Sequence, residues 1–388
     1  TVIDKKEKAL LIGVVYGKLD NNKVDEHLKE LELLTLTAGA QVVGKITQKL
    51  SRINPSFFIG SGKAEQIINQ ANEMGVSLII FDDELSPAQI KNYSNLVEDI
   101  KVIDRSTLIL DIFSQHAQTK EAKTQVELAQ LEYMLPRLTR AWTHLERQMG
   151  GIGARAGAGE TQIEVDRRLL RNRISKLKKE LDKIDKERVT QSKHRINQFK
   201  VALVGYTNAG KSTLMKTLSG ADVLIKNQLF ATLDTTIRTV KLDNSHSILL
   251  SDTVGFVRKL PHHLVASFKS TLKEVVDADL ILIVLDASSN EVLDHYNTIL
   301  QVLKDLGVER HLSLTIINKI DHQNAKNQLP FLNRTFKEGV FISALNKLMI
   351  DSITNKIINI MEKNYQIVDL HFSYKESKQL ALAQEGVD

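Results

Sequence analysis

The sequence predicts an α/β protein with an N-terminal α/β domain, a helical hairpin linker, and a P-loop domain with a doubly wound, mostly parallel sheet. Three observations carry this. Short apolar runs alternate with amphipathic segments at both ends of the chain. Two seams of apolar residues at spacings of three and four lie between them. A complete phosphate-loop motif, GYTNAGKST at 205–213, follows an apolar run directly.

The alternation begins with ALLIGVVY at 9–16, a buried strand, then an amphipathic helix from Asp25 to Leu34 and the strand AQVVGKI. Ile59-Gly60-Ser61-Gly62-Lys63 precedes a helix near 64–74. Val76 to Phe81 is the next strand, and Ser86-Pro87 opens a helix with proline in its tolerated first turn. Lys101 to Ile103 completes the pattern, which ends near 112. These elements define a domain over residues 1–115.

Long helices follow, over 116–196. Leu131, Leu135, Leu138, Trp142, Leu145 and Met149 form one seam, and Leu170, Ile174, Leu177, Leu181 and Ile184 the other. Pro136 kinks or divides the first helix. The stretch between them, MGGIGARAGAGETQ, holds five glycines and cannot remain helical, since each interior glycine costs roughly 1 kcal/mol relative to alanine. It is expected to be a turn or loop at the hairpin tip. From Arg137 to Lys200 there are 17 Lys and Arg against 8 Asp and Glu, on a chain whose net charge is only +5. A concentrated positive element on an otherwise acidic body points to nucleic acid, or else to a solvated basic helix.

The second α/β segment covers 197–362, with strands expected at Val201–Val204, Ile248–Ser251, Leu280–Leu285, Leu314–Ile317 and Val340–Ile342. Residues 363–388 read as one strand and one helix, an incomplete further segment.

The motifs in this segment specify chemistry. Gly205 and Gly210 permit the tight path that turns the N–H groups of Tyr206, Thr207, Asn208 and Ala209 toward phosphate oxygens. Lys211 is placed to reach the β- and γ-phosphates of GTP, Ser212 to ligate Mg²⁺, and Thr213 to support the helix start. Guanine selection comes from Asn318-Lys319-Ile320-Asp321 after a late strand. The Asp321 carboxylate can accept from guanine N1 and its exocyclic amine, a donor pair that adenine lacks. Asn318 holds the loop, the Lys319 stem covers the base, and Ser343-Ala344 offers a backbone contact to the guanine carbonyl.

Asp252-Thr253-Val254-Gly255 follows another strand. It places Asp252 near the Mg²⁺ shell, through water, and the Gly255 N–H near the γ-phosphate. A second metal-facing hydroxyl is expected from Thr232, with Thr236 the alternative. Lys211, Thr232 and Gly255 are thus the expected catalytic groups. Phe256, next after DxxG, cannot orient an attacking water, so basal hydrolysis of GTP to GDP should be slow without another residue or a partner to order that water. The adjacent His262 and His263 do not share a helix face and make no convincing metal site.

The chain has no cysteine, which excludes disulfides, zinc-thiolate sites and a cysteine nucleophile. No run of eighteen apolar residues appears, so no membrane span is expected. The lysine-rich start reads as a first strand rather than a leader, and a cytoplasmic address fits. Monomer is the default, because the two seams can pair within one hairpin.

The residues resemble the HflX family of translational GTPases along nearly the whole chain. The likeness is carried by FIGSGK at 58–63, DDELSPAQIKN at 82–92, VIDRSTLILDIF at 102–113, TQVELAQLEYMLPRL at 124–138 and GAGETQIEVDRR at 157–168. The phosphate loop, LFATLD and DTVGF at 252–256 complete it. The resemblance implies a ribosome-associated P-loop GTPase that binds the large ribosomal subunit and its RNA and splits stalled or idle ribosomes under heat stress. It implies that the glycine-rich tip at 149–159 approaches ribosomal RNA. By their own chemistry Arg155, Arg167 and Arg168 can offer donors to a phosphate backbone, and Arg167 and Arg168 read equally as helix-end solubility charges. ATP binding in the N-terminal domain, known for some relatives, would fall at Gly60–Lys63. The chain departs from the family at Thr235, where proline is usual, at Phe113–Ala117, which lacks one positive charge, and at Ala156 and Ala158 in the tip. Two other classes fit the motifs: a GTP-controlled RNA-binding assembly factor for the large subunit, and a regulatory GTPase directed at another protein.

Overall fold

The computed structural model describes residues 6–17, 19–97, 99–138, 162–192, 198–220, 229–230, 233–259, 272–308 and 311–364. They form two compact units. One comprises Thr1–Ile184 with Gln228–Phe230 and Lys259–Phe268, the other Asp185–Asn227, Ala231–Arg258 and Lys269–Asp388.

The first unit holds a four-stranded sheet in the order β2-β1-β3-β4, built from β1 (Lys8–Val15), β2 (Gln41–Lys49), β3 (Leu78–Phe81) and β4 (Lys101–Asp104). Every pairing is parallel. The continuous apolar run of β1 suits its central place, and β2, with alternating exposure, forms an edge. Helices α1 (Asn21–Thr37), α2 (Ser61–Glu73), α3 (Pro87–Leu96) and α4 (Arg105–His116) connect and cover the strands. Ser86 caps α3 in a reciprocal capping box with Gln89, and Pro87 sits at the first helical position as the sequence indicates. Buried Leu108, Ile109, Leu110, Ile112 and Phe113 on α4 explain why this helix is hard to separate from the strand before it: an all-round apolar run has no periodicity to read. Arg105, also buried, pairs with Asp82 at 2.8 Å and Glu30 at 2.6 Å.

Helix α5 (Lys120–Met134) ends in a 3-10 turn at Leu135–Arg137, where Pro136 interrupts the helical hydrogen bonds. It packs on α6 (Gln162–Ser192) through Leu128, Leu131, Leu170 and Leu177, with Leu135, Leu138, Ile174 and Leu181 at the margin. Glu127 takes both oxygens to Arg173, at 2.6 and 2.7 Å. Of the expected seam, Trp142, Leu145 and Met149 lie outside the described residues, as do the glycine-rich tip and Arg155. Arg137, counted above within the basic element, has a structural role: it is buried, pairs with Glu84 at 2.7 Å and stacks on Tyr133.

The second unit holds a six-stranded sheet in the order β10-β9-β8-β5-β7-β6. Its strands are β5 (Phe199–Gly205), β6 (Thr236–Lys241), β7 (Ser247–Asp252), β8 (Leu280–Asp286), β9 (Leu312–Asn318) and β10 (Val340–Phe341). Only the β6–β7 pairing is antiparallel. The described helices are α7 (Lys211–Ser219), α8 (Lys273–Val276), α9 (Val292–Asp305), α10 (Gln323–Thr335) and α11 (Ile350–Asn364). Val201, Leu203, Leu250, Leu282, Val284, Ile316 and Ile342 fill the core against Leu214 on α7 and Ile353 and Ile357 on α11. The expected strand and helix beyond 364 lie outside the described residues. No described helix is long and apolar enough to cross a membrane.

Candidate functional site

The parallel order β9-β8-β5-β7 brings the C-terminal ends of four strands to one edge, the usual ligand-binding edge of an open α/β sheet. Every phosphate and base motif leaves one of these strands or the adjoining β10.

Beyond β5, Gly210 has φ +95°, and a side chain there would run into the Asn318 amide. Glycine is therefore required both by conformation and by space. The same amide donates to the Ala209 carbonyl at 2.9 Å, while its oxygen accepts from the Ala344 N–H at 2.9 Å. One buried asparagine thus ties together the loops after β5, β9 and β10. Lys319 adds a second tie. Its ammonium donates to the Asn208 carbonyl at 2.7 Å and pairs with Asp286, at the end of β8, at 2.7 Å. The single hydroxyl proton of Thr217 on α7 is shared between the Ala344 carbonyl and the Thr213 carbonyl one turn earlier, both at 2.9 Å. Asp321 lies at this rim, where the Asn346 amide donates to its Oδ2 at 3.0 Å and the Asn346 N–H donates to Ser343 Oγ at 3.1 Å.

At the other end, Lys211 is 6% exposed and its ammonium donates to the carbonyls of Gly205 and Tyr206, both at 3.1 Å. Burial pulls its pKa down to about 8, against the opposing pull of the Asp252 carboxylate. The Ser212 hydroxyl donates to Asp252 Oδ2 at 2.6 Å. Thr253 donates to the Leu203 carbonyl at 2.7 Å and holds the start of the DTVG segment to β5. That segment then runs along the phosphate loop. Thr207 N–H donates to the Phe256 carbonyl at 2.7 Å, and Phe256 N–H donates to the Gly205 carbonyl at 3.0 Å. Gly255 lies so close that a Cβ there would come within 2.8 Å of Thr207 and 3.1 Å of the Lys211 ammonium. Phe256 is fully buried and acts as packing.

Thr236 is the first residue of β6, paired across the ladder with Asp252. Thr232 lies outside the described residues, as do His262 and His263. Four contributors, Asn346, His295, Arg258 and Glu291, were not visible in the sequence. Asn346 engages Asp321, as given above. Tyr206 stacks its ring on His295 at 3.8 Å and accepts from the Arg258 N–H at 2.7 Å, and Arg258 pairs with Glu291 at 2.9 Å. The Tyr206 side chain is thereby committed away from the loop's interior. No local motif links residues 206, 258, 291 and 295; the sheet order does.

The loop geometry and the cross-bonded base motif define the class: a P-loop GTPase, an enzyme that hydrolyses GTP. Comparisons with known proteins agree. Family models described as GTP-binding GTPase N-terminal, GTP-binding GTPase Middle Region and 50S ribosome-binding GTPase match residues 25–114, 116–195 and 200–319. The chain is 52% identical to a GTPase HflX of Flavobacterium psychrophilum over 81% of this chain and 76% of that protein. It is 42% identical to a GTPase HflX of Caldanaerobacter subterraneus over 98% of this chain and 86% of that protein. A solved structure, the SsGBP and GDP complex, superposes with a TM-score of 0.50 at 27% identity, covering 91% of this chain and 98% of that one. The chain belongs to the HflX family of GTPases. That membership carries a ribosome-associated GTPase function in general terms.

Proposed function

We propose that this GTPase docks on the large ribosomal subunit and separates stalled or idle ribosomes under stress, with GTP hydrolysis serving its release. The observation that carries the reading is the joining of one guanine-type cradle to a basic helical element. On α6, Arg167, Arg168, Arg171, Lys176 and Lys179 are exposed, while the apolar seam of the same helix is buried against α5. Exposed arginine and lysine along one element suit a phosphate backbone, whose neutralisation drives salt-dependent binding.

In this reading Lys211 exchanges its loop carbonyls for the β- and γ-phosphates. The N–H groups of 206–210 surround the β-phosphate, and the Gly255 N–H meets the γ-phosphate. Asp321 reads guanine N1 and the exocyclic amine, oriented by Asn346, and Ala344 N–H meets the base carbonyl. The adjacent hard oxygens of Ser212 and Asp252 fit Mg²⁺, which takes few protein ligands and completes its shell with phosphate and water. When bound, the ion neutralises charge on the phosphates. Either Thr232 or Thr236 supplies the second hydroxyl. ATP at Gly60–Lys63 forms no part of this reading.

The test is sedimentation of intact ribosomes with the protein plus GTP or a non-hydrolysable analogue. Subunit release with the analogue is the expected outcome. Stable binding to large subunits without release would instead favour an assembly role, and no ribosome binding at all would favour a protein-directed switch.

A further inference from the structure

Phe256 leaves the hydrolytic step without a water-orienting side chain at the position next to DxxG, and a second observation concerns the phosphate loop itself. Four hydroxyl groups around the phosphate loop are engaged: Ser212 with Asp252, Thr217 with Thr213 and Ala344, Ser251 with Val201 and Thr253 with Leu203. Thr207 differs. The residue is 7% exposed, and its Oγ1 is buried with no hydrogen-bond partner among the described residues. An unmet buried hydroxyl costs on the order of 1–3 kcal/mol, and such a group in a folded protein calls for a specific explanation.

The Thr207 backbone is fixed by the bond from its N–H to the Phe256 carbonyl. Its Cα and Cγ2 both lie 2.8 Å from the point where a Gly255 Cβ would stand, and the Lys211 ammonium lies 3.1 Å from that same point. Thr207 therefore adjoins both groups expected to meet the γ-phosphate.

We infer that the Thr207 hydroxyl contacts the γ-phosphoryl group, donating to one of its oxygens and accepting a hydrogen bond from the attacking water. This rests on the GTPase site assigned above. The water oxygen forms the new bond to the γ-phosphorus as the bond from phosphorus to the β–γ bridging oxygen breaks, yielding GDP and phosphate. The water's proton ends on phosphate, and Thr207 keeps its own throughout. A hydroxyl here performs by position what phenylalanine at 256 cannot perform by chemistry.

The test compares Thr207→Val, which keeps the shape and removes the hydroxyl, with Thr207→Ser, which restores it. GDP and GppNHp affinities are titrated, single-turnover GTP hydrolysis is timed, and melting temperatures are recorded. Thr207→Val should bind GDP within about twofold of the parent, bind GppNHp about tenfold more weakly, and hydrolyse GTP about 10- to 100-fold more slowly. Its melting temperature should hold or rise, because no hydrogen bond is lost. Thr207→Ser should stay within about threefold of the parent in every measure, since it keeps the donor. Parent-like hydrolysis and GppNHp affinity in Thr207→Val would overturn the assignment, as would an equal loss of GDP and GppNHp affinity, which marks a merely structural role. If the parent protein itself bound no guanine nucleotide, the GTPase site would fail, an outcome separate from failure of Thr207 alone.

Discussion

Two helices in this chain begin with closely similar letters: Gly60-Ser61-Gly62-Lys63 at α2, and Gly210-Lys211-Ser212 at α7. At α2, Gly60 occupies the cap without positive φ, and a Cβ on Gly60 or Gly62 would meet nothing within 4 Å. At α7, Gly210 is held left-handed beneath the Asn318 amide, and Lys211 is buried against loop carbonyls. The difference is not composition. The second glycine-lysine pair is gripped by Asn318 at the end of β9 and by the carbonyls of Gly205 and Tyr206 at the end of β5, whereas the glycines of the first face open space. A phosphate cradle is thus a tertiary object, and the motif contributes only the part that is local.

The largest effect should come from Gly210→Ala. The side chain is excluded both by φ and by Asn318, so GDP affinity should fall by at least about 100-fold, while Gly62→Ala should leave it within about twofold. Titration of both variants with a fluorescent guanine nucleotide checks this. Tight binding by Gly210→Ala would erase the contrast between the two helix starts.

Next in size is the charge at Lys211. Lys211→Ala should weaken GTP binding and hydrolysis by about 10- to 100-fold, and Lys63→Ala should change neither. The pH dependence sharpens the point. The folded pKa, about 8, lies below the ordinary lysine value of 10.5. The penalty on the charged lysine is therefore complete below about pH 8. It is relieved as pH rises from there toward the ordinary value, so the nucleotide-free protein should gain stability across that window. Nucleotide binding has the opposite sign. Phosphate favours the ammonium, so affinity should decline between pH 8 and pH 9, by up to about tenfold, and that decline should vanish in Lys211→Ala. Titrations at several pH values read it directly.

A smaller effect is expected at Asn346, whose amide engages one oxygen of Asp321. Asn346→Ala should weaken GDP by about threefold and IDP by less, because the lost orientation matters most for the exocyclic amine that inosine lacks. Equal losses for both nucleotides would assign Asn346 to general loop support.

How much of this could be read from the sequence follows the same division. The parallel strands of both sheets were legible from their apolar runs, whereas β6, an antiparallel and largely uncovered edge strand of sequence TIRTVK, was missed. The phosphate, DxxG and NKxD motifs were legible because their residues lie together in the chain. Helix α4 was not delimited, for its buried faces leave no periodicity. Arg137 belonged by composition to a basic surface, yet Glu84 and Tyr133, from distant positions, draw it inside. Tyr206 meets His295 because β5 lies beside β8, and Arg258, beyond β7, pairs with Glu291, beyond β8, because only β5 stands between those two strands. Partnership across the fold was the information that local spacing did not contain.

The central claim is that this cradle selects guanine through Asp321. The direct measurement is calorimetric titration of the parent and Asp321→Asn with GDP and XDP. In the proposed site, the parent carboxylate accepts from two donors on guanine. The amide offers a donor where guanine needs an acceptor, and xanthine presents a carbonyl there instead. Asp321→Asn should lose GDP affinity by about 100-fold or more and bind XDP more tightly than GDP. A folded Asp321→Asn protein that kept the parent's preference for GDP would contradict it.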